Sequence, residues 1–246
     1  MTKKSHNKGF SALLATQFLG AFNDNAFKLV IAFVAIDQFV TKSGGTFFLS
    51  LAGILFSLPY FLFSTYAGYL ADHFSKQKII VSMKVLEIFV MVLGLFALLS
   101  GNMWVILSVL FLMGTQSAFF SPSKYGILPE ILSDEELSEG NGLIQMWTYA
   151  AIILGQVCGG LLMQVNSEQI YKAAFVFIGV SVVGTLTSLY VTKVRASGAK
   201  RDFQWNFPRE VLENIKRIKL ERGIFLSVMG LMYFGFLGGI FHLNVL

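Results

Sequence analysis

The chain has 246 residues, of which 55% are hydrophobic and only 13% charged, and its mean hydropathy is +0.67. Soluble domains carry about 25% charged residues, so composition excludes an ordinary water-soluble fold and points to an all-α polytopic membrane protein. One cysteine and three histidines scattered along the chain leave no basis for a disulfide framework or a metal cluster, and no cofactor is implied.

A helical crossing needs about 20 predominantly apolar residues. The charge-free windows 43–71, 88–123, 140–167, 173–192 and 223–246 meet that length. With the charge-bearing runs before and between them, they predict seven spans, at 10–39, 47–71, 79–99, 103–120, 142–165, 173–192 and 223–246.

The first span carries Phe22-Asn23-Asp24-Asn25-Ala26-Phe27-Lys28 inside an otherwise apolar run. A carboxylate and an ammonium at that depth cost roughly 2.5–3.5 kcal/mol each on insertion scales, so they are expected to face protein or a water-filled path. Gln17, Gly20, Asp24 and Lys28, spaced three, four and four apart, fall on one helix face. Asp24 and Lys28 can therefore either pair with one another or line a cavity. A signal peptide is the other reading of an N-terminal basic segment before an apolar run. The run here is too long for one, contains Asp24, and lacks a clean small-residue cleavage site.

The second span contains Pro59, the one proline expected inside a span, which predicts a bend there. Gly68-Tyr69-Leu70-Ala71-Asp72-His73-Phe74-Ser75-Lys76-Gln77-Lys78 then joins spans two and three. Gly68 is expected to permit close helix contact, Asp72 to sit at a helix end, and Lys76 and Lys78 to supply basic charge. In span three, Lys84 and Glu87 are three apart. They read as a helix-stabilising pair, with Lys84 reaching toward the inner membrane surface.

Between spans four and five, Ser133 and Glu136 have capping-box spacing, which predicts a short surface helix starting there. Gly155 and Gly159 in span five are four apart, a spacing that lets two membrane helices approach closely. Residues 193–222 hold nine of the 19 basic residues and four acidic ones. Within them Val211, Leu212, Ile215 and Ile218 form an apolar face flanked by Lys216, Arg217, Lys219 and Arg222, as expected of a helix lying on an anionic leaflet.

Basic residues orient the chain. With the N-terminus inside, 15 of the 19 fall in inner segments and two, Lys42 and Lys172, in outer loops. The basic isoelectric point thus reflects topology, and a nucleic-acid partner is not needed to account for it.

The 68–78 loop resembles the G-x-L-a-D-r-x-G-r-k loop of the major facilitator superfamily, with His73 and Ser75 replacing the usual arginine and glycine. Two further segments, Phe18 to Ala26 and Ser121-Pro122-Ser123-Lys124-Tyr125-Gly126-Ile127-Leu128-Pro129-Glu130, are similar to the lysophospholipid transporter family within it. So are Asn141-Gly142-Leu143 and Gly155-Gln156-Val157-Cys158-Gly159-Gly160; Gln156 stands where drug/proton antiporters have proline.

The resemblance implies a transporter of the bacterial inner membrane that moves lysophospholipid by alternating access, with the N-terminus in the cytoplasm. It places Asp24, Asn25, Lys124 and Tyr125 at the substrate, with Lys28 on the Asp24 face as a further candidate, and Gly68, Asp72 and Lys76 in a conformational loop. It also implies a domain plan: residues 1–192 as a six-helix half, 193–222 as a basic central loop, and 223–246 as the first helix of a second half. Half of the expected cavity would then lie elsewhere, on a separate second half or on a continuation of the chain; a complete seven-span protein is the third option. Membrane lipids and an acyltransferase are further expected partners.

An acyltransferase role for this chain itself lacks its usual His-x-x-x-x-Asp pair, since Ser11 and Lys78 stand five residues after His6 and His73. A facilitator for small soluble solutes and a non-functional gene fragment remain the alternatives. The orientation has a direct test. Single cysteines at Ser43 and Ser197, in a Cys158→Ser background, should label oppositely with an impermeant thiol reagent in intact cells; outside labelling at position 197 would reverse the topology.

Overall fold

The computed structural model describes residues 8–39, 45–165, 170–196, 215–216 and 218–245. The helices among them are α1 (Lys8–Phe39), α2 (Gly45–His73), α3 (Lys76–Ser100), α4 (Met103–Gly126), the single-turn α5 (Leu128–Ile131), α6 (Asp134–Val165), α7 (Lys172–Ser188) and α8 (Arg222–Val245). No strand occurs among the described residues.

Five helices, α1, α2, α3, α4 and α6, are long and apolar enough to cross a membrane; α7 and the apolar part of α8 are shorter. At 1.5 Å per residue, the 32-residue α1 and α6 are each about 48 Å long, more than the roughly 30 Å of bilayer hydrocarbon. Both therefore project beyond it.

The chain divides into two compact units, residues 1–200 and 201–246. In the first, α1 packs mainly on α6 and α7, α2 on α4, and α3 on α4 and α7. One apolar cluster joins Phe27, Ile31, Met91, Leu110, Met113 and Phe177; a second gathers Leu13, Ile80, Ile127 and Ile144 nearer the end where α1 starts. The second unit contributes α8, an apolar helix.

Several boundaries depart from the sequence expectations. The Ser133 cap opens no separate surface helix: α6 starts at Asp134 and runs unbroken to Val165. Glu136 accepts hydrogen bonds from both the backbone N–H and the hydroxyl of Ser133, at 3.1 and 3.0 Å. Once nucleated by that cap, the helix runs through Gly140-Asn141-Gly142 without a break, and Asn141 donates to the Leu137 carbonyl at 2.9 Å. Span four likewise continues to Gly126 with Pro122 inside it, so Pro59 is not the only proline within a spanning helix.

Span six ends at Ser188 rather than 192. There the N–H groups of Leu189, Tyr190 and Val191 bond three residues back, to Leu186, Thr187 and Ser188, which tightens the last turn before an irregular segment to residue 196. The α3–α4 connection is as short as expected. Gly101 adopts the left-handed conformation (φ 61°) that closes α3, and Asn102 accepts from the Trp104 N–H at 2.9 Å to cap α4. The basic amphipathic helix expected within 193–222 lies mostly outside the described residues; of it, 215–216 and 218–220 are helical.

Helices α1 and α6 approach one another closely along their backbones. A Cβ on Gly155 would lie 2.5 Å from the Phe22 carbonyl oxygen, and one on Gly159 would lie 2.7 Å from that of Ala26. Backbone therefore meets backbone at the spacing that the two glycines predicted. Gly114 approaches the Phe56 carbonyl on α2 in the same way. Gly68 does not behave as expected, because a Cβ there would meet nothing within 4 Å among the described residues. Replacing Gly155 or Gly159 with leucine should cost about 1–3 kcal/mol or more by overpacking. The midpoint of thermal unfolding in detergent would report it, with Gly160→Ala, whose Cβ would sit in ordinary contact (3.8 Å from Leu29), as the near-neutral control.

Candidate functional site

The polar stripe on α1 opens onto a cavity of about 230 Å³ between α1, α2, α3, α4 and α6. Gln17, Gly20, Asp24 and Lys28 all line it, as the spacing predicted, together with Asn25. The rotation that sets them there follows from the glycine contact, since Phe22 and Ala26 are turned onto α6 and the intervening Asp24 is directed away from it.

Asp24 is 8% exposed. Its Oδ2 accepts from the Ser117 hydroxyl of α4 at 2.7 Å, while its Oδ1 is buried without a hydrogen-bond partner. Lys28 does not close on it. The Lys28 ammonium lies 4.2 Å from the centre of the Phe56 ring, a cation–π contact in which the negative ring face takes the place of a carboxylate. Of the two readings of the Asp24–Lys28 spacing, the structure thus favours a lined cavity over mutual neutralisation. Asn25 donates to the Ala21 carbonyl at 2.7 Å.

Lys124, in the last turn of α4, is buried on the cavity wall with its ammonium 4.4 Å from the Tyr125 ring centre and 6.0 Å from that of Phe120. Tyr125 is not itself a lining residue. It is 37% exposed and accepts from Gln145 at 3.3 Å, so it acts as a seat for Lys124.

Lys84 and Glu87 also line the cavity, and here the sequence reading needs correcting. The pair forms, but Lys84 does not reach for the membrane surface: it is 1% exposed and Glu87 is 2%. The Lys84 ammonium fits a notch left by Gly20 and Gly184, where added Cβ atoms would lie 3.2 and 2.9 Å away. Glu87 takes the lysine on Oε2 and the amide of Asn23 on Oε1 at 3.2 Å, and the Lys84 carbonyl accepts from Thr185 at 2.9 Å. The partners that hold Lys84 inward sit on α1 and α7, too far away in sequence to be read from span three. Gln116 and Ser117 of α4, Thr148 of α6 and Tyr60 of α2 were also missed. They are common polar residues in apolar runs, and only packing brings them together.

The loop residues form a second group. Asp72 is in the last turn of α2 and Lys76 opens α3. Lys76 is paired with Glu130 at 2.5 Å and its stem packs on Gly126, so it ties α3 to α5 instead of standing free as basic surface charge. Ser75 donates to the Val194 carbonyl at 2.7 Å, and His73 stacks on Tyr69 with ring centres 4.2 Å apart.

Comparison with known proteins agrees with this architecture. The sequence model of the Major Facilitator Superfamily matches residues 13–246. Proteins named lysophospholipid transporter LplT are similar to the chain. The one from Photorhabdus laumondii is 30% identical over 205 residues, covering 82% of this chain and 47% of that protein. The one from Cronobacter sakazakii is 33% identical over 159 residues, covering 63% and 37%. One from Escherichia coli is 30% identical over 203 residues, covering 81% and 47%. The chain thus spans about half the length of the curated relatives it matches.

Among solved structures, a peptide transporter POT (E310Q mutant) in complex with sulfate superposes with a TM-score of 0.60 at 15% identity, covering 93% of this chain and 47% of that one; this likeness concerns the fold. A family match that extends from the first membrane helix to the last residue, on a bundle of the same architecture, shows that this membrane-spanning chain belongs to the Major Facilitator Superfamily.

Proposed function

We propose that this chain forms one side of a lysophospholipid pathway, in a transporter of the bacterial inner membrane that works by alternating access. The observation that carries this reading is the charge layout of the cavity. One buried carboxylate, Asp24, has an open oxygen, and two lysines, Lys28 and Lys124, rest on aromatic rings with no carboxylate bonded to them.

A phosphodiester head group fits lysines arranged this way through charge-assisted hydrogen bonds. Where the head group carries an ammonium, Asp24 Oδ1 is its acceptor. The acyl chain follows the apolar side chains that α6 exposes near Thr148 and Ile152, among them Tyr149, Ile153 and Val157. Similarity to proteins named lysophospholipid transporters supports the choice of lipid over a small soluble solute.

In the proposed orientation the N-terminus and the α2–α3 loop face the cytoplasm, in keeping with the distribution of basic residues. There Asp72 and the Lys76–Glu130 pair would stabilise one state of the carrier; Gly68, with open space at its Cα, would face whatever completes the cavity. The completing partner is a second transporter half, and an acyltransferase on the same side would consume the delivered lipid. Residues 1–192, 193–222 and 223–246 are the proposed half, linker and entry to the second half.

The test is binding of lysophosphatidylethanolamine to the chain in lipid nanodiscs. Losing a hydrogen bond to a charged group costs about 1.5–3 kcal/mol, so Asp24→Asn should weaken binding roughly 10- to 150-fold, and Lys124→Gln by a similar factor. Equal affinities for wild type and both variants would refute the site.

A further inference from the structure

Gln17 uses only half of its hydrogen-bonding capacity within the protein. It is 6% exposed, and its Nε2 donates to the Thr148 hydroxyl of α6 at 3.0 Å. That hydroxyl in turn donates to the Ile144 carbonyl at 2.7 Å. A hydroxyl has one proton to give, so Thr148 can only accept from Gln17. The carboxamide is thereby fixed in orientation, with its nitrogen held on α6 and its Oε1 left over.

Among the described residues none donates to Gln17 Oε1. The atom is not sealed into the packing either, since Gln17 lines the cavity and its oxygen keeps contact with the cavity space. A positioned acceptor is therefore offered to whatever enters, and it calls for a hydroxyl or an N–H.

Its level in the bundle says which group that is. Helices α1 and α4 run in opposite directions: Leu13 shares an apolar cluster with Phe120 and Ile127, whereas Phe27 and Ile31 share one with Leu110 and Met113. Asp24 and Ser117 meet between the two clusters. Gln17 stands seven residues before Asp24, and Lys124 seven after Ser117. At 1.5 Å per residue, both lie about 10 Å from that contact and toward the same end. Both line the cavity.

A lipid phosphate on Lys124 puts the glycerol backbone beside Gln17. In a lysophospholipid the central glycerol carbon carries a free hydroxyl; in a diacyl lipid the same carbon carries an ester, which has oxygens and no proton to give. We propose that Gln17 reads this difference, its Oε1 accepting a hydrogen bond from the free glycerol hydroxyl, and that it is a specificity-determining residue of the cavity. A site built to bond a substrate hydroxyl disfavours the analogue that lacks it, because the polar group of the site is then left unpaired. An ester at that place sets oxygen against a carboxamide oxygen that cannot turn away. Resting on the lysophospholipid reading of the cavity, this role names the group by which such a lipid is distinguished from its diacyl parent.

The test compares binding of lysophosphatidylethanolamine and of its 2-deoxy analogue to the chain in lipid nanodiscs. The analogue keeps the head group and acyl chain and lacks only the hydroxyl; being smaller, it cannot bind less well through a clash. It should bind roughly 5- to 150-fold more weakly, as expected when one polar group is left unpaired. In Gln17→Met the two lipids should bind alike, with the loss falling on the hydroxyl-bearing one. In Thr148→Ala the carboxamide is free to turn and the ratio should shrink, which decides the matter if Gln17→Met does not fold. Equal binding of both lipids by the wild type, or a wild-type ratio in either variant, would overturn the role of Gln17 and leave the proposed function standing. Failure of lysophosphatidylethanolamine to bind at all would overturn the proposed function, and this role with it.

Discussion

The contact of α1 with α6 fixes everything that the cavity does. Two helices in a bilayer gain little from hiding apolar surface, because lipid tails are equally apolar; close packing and polar contacts hold them together instead. Gly155 and Gly159 admit the backbone of α1 at Phe22 and Ala26, and this sets the rotation of α1 about its axis. A helix turned by one residue, about 100°, would send Asp24 toward a neighbour or toward lipid. The charge-bearing face thus depends on two positions that carry no side chain at all.

Charge within the bundle is handled in two different ways. Lys84 and Glu87 neutralise each other and recruit Asn23, so that α1, α3 and α7 share one buried polar knot. Breaking such a pair by removing one partner costs about 3–5 kcal/mol, which makes the knot a rigid part of the scaffold. Lys28 and Lys124 are left on aromatic rings. The same cavity wall therefore carries both a fixed pair and two adjustable cations, and sequence spacing alone does not tell them apart.

Much of the fold was legible because it is written in local periodicity. Charge-free windows gave the long helices, the Gln17–Gly20–Asp24–Lys28 stripe gave the cavity-facing side of α1, and the Gly155/Gly159 spacing gave its packing surface. What was not legible depends on residues distant in sequence. Lys84 stays buried because Gly20 and Gly184 leave it a notch, and Ser117 matters because it reaches Asp24 from α4. Boundaries failed where a strong start signal outran the hydropathy window, as at Ser133, where α6 begins eight residues before the predicted span.

The aromatic seats beneath the two lysines bear on how long a ligand stays. An anion drawn to a lysine already in an ion pair must first break that pair, which slows both arrival and departure. A lysine on a ring gives up only a contact worth about 0.5–2 kcal/mol and returns to it when the anion leaves. The residence time of an anionic group is then set by moderate attraction in both directions, as suits a site through which cargo passes rather than one in which it is stored.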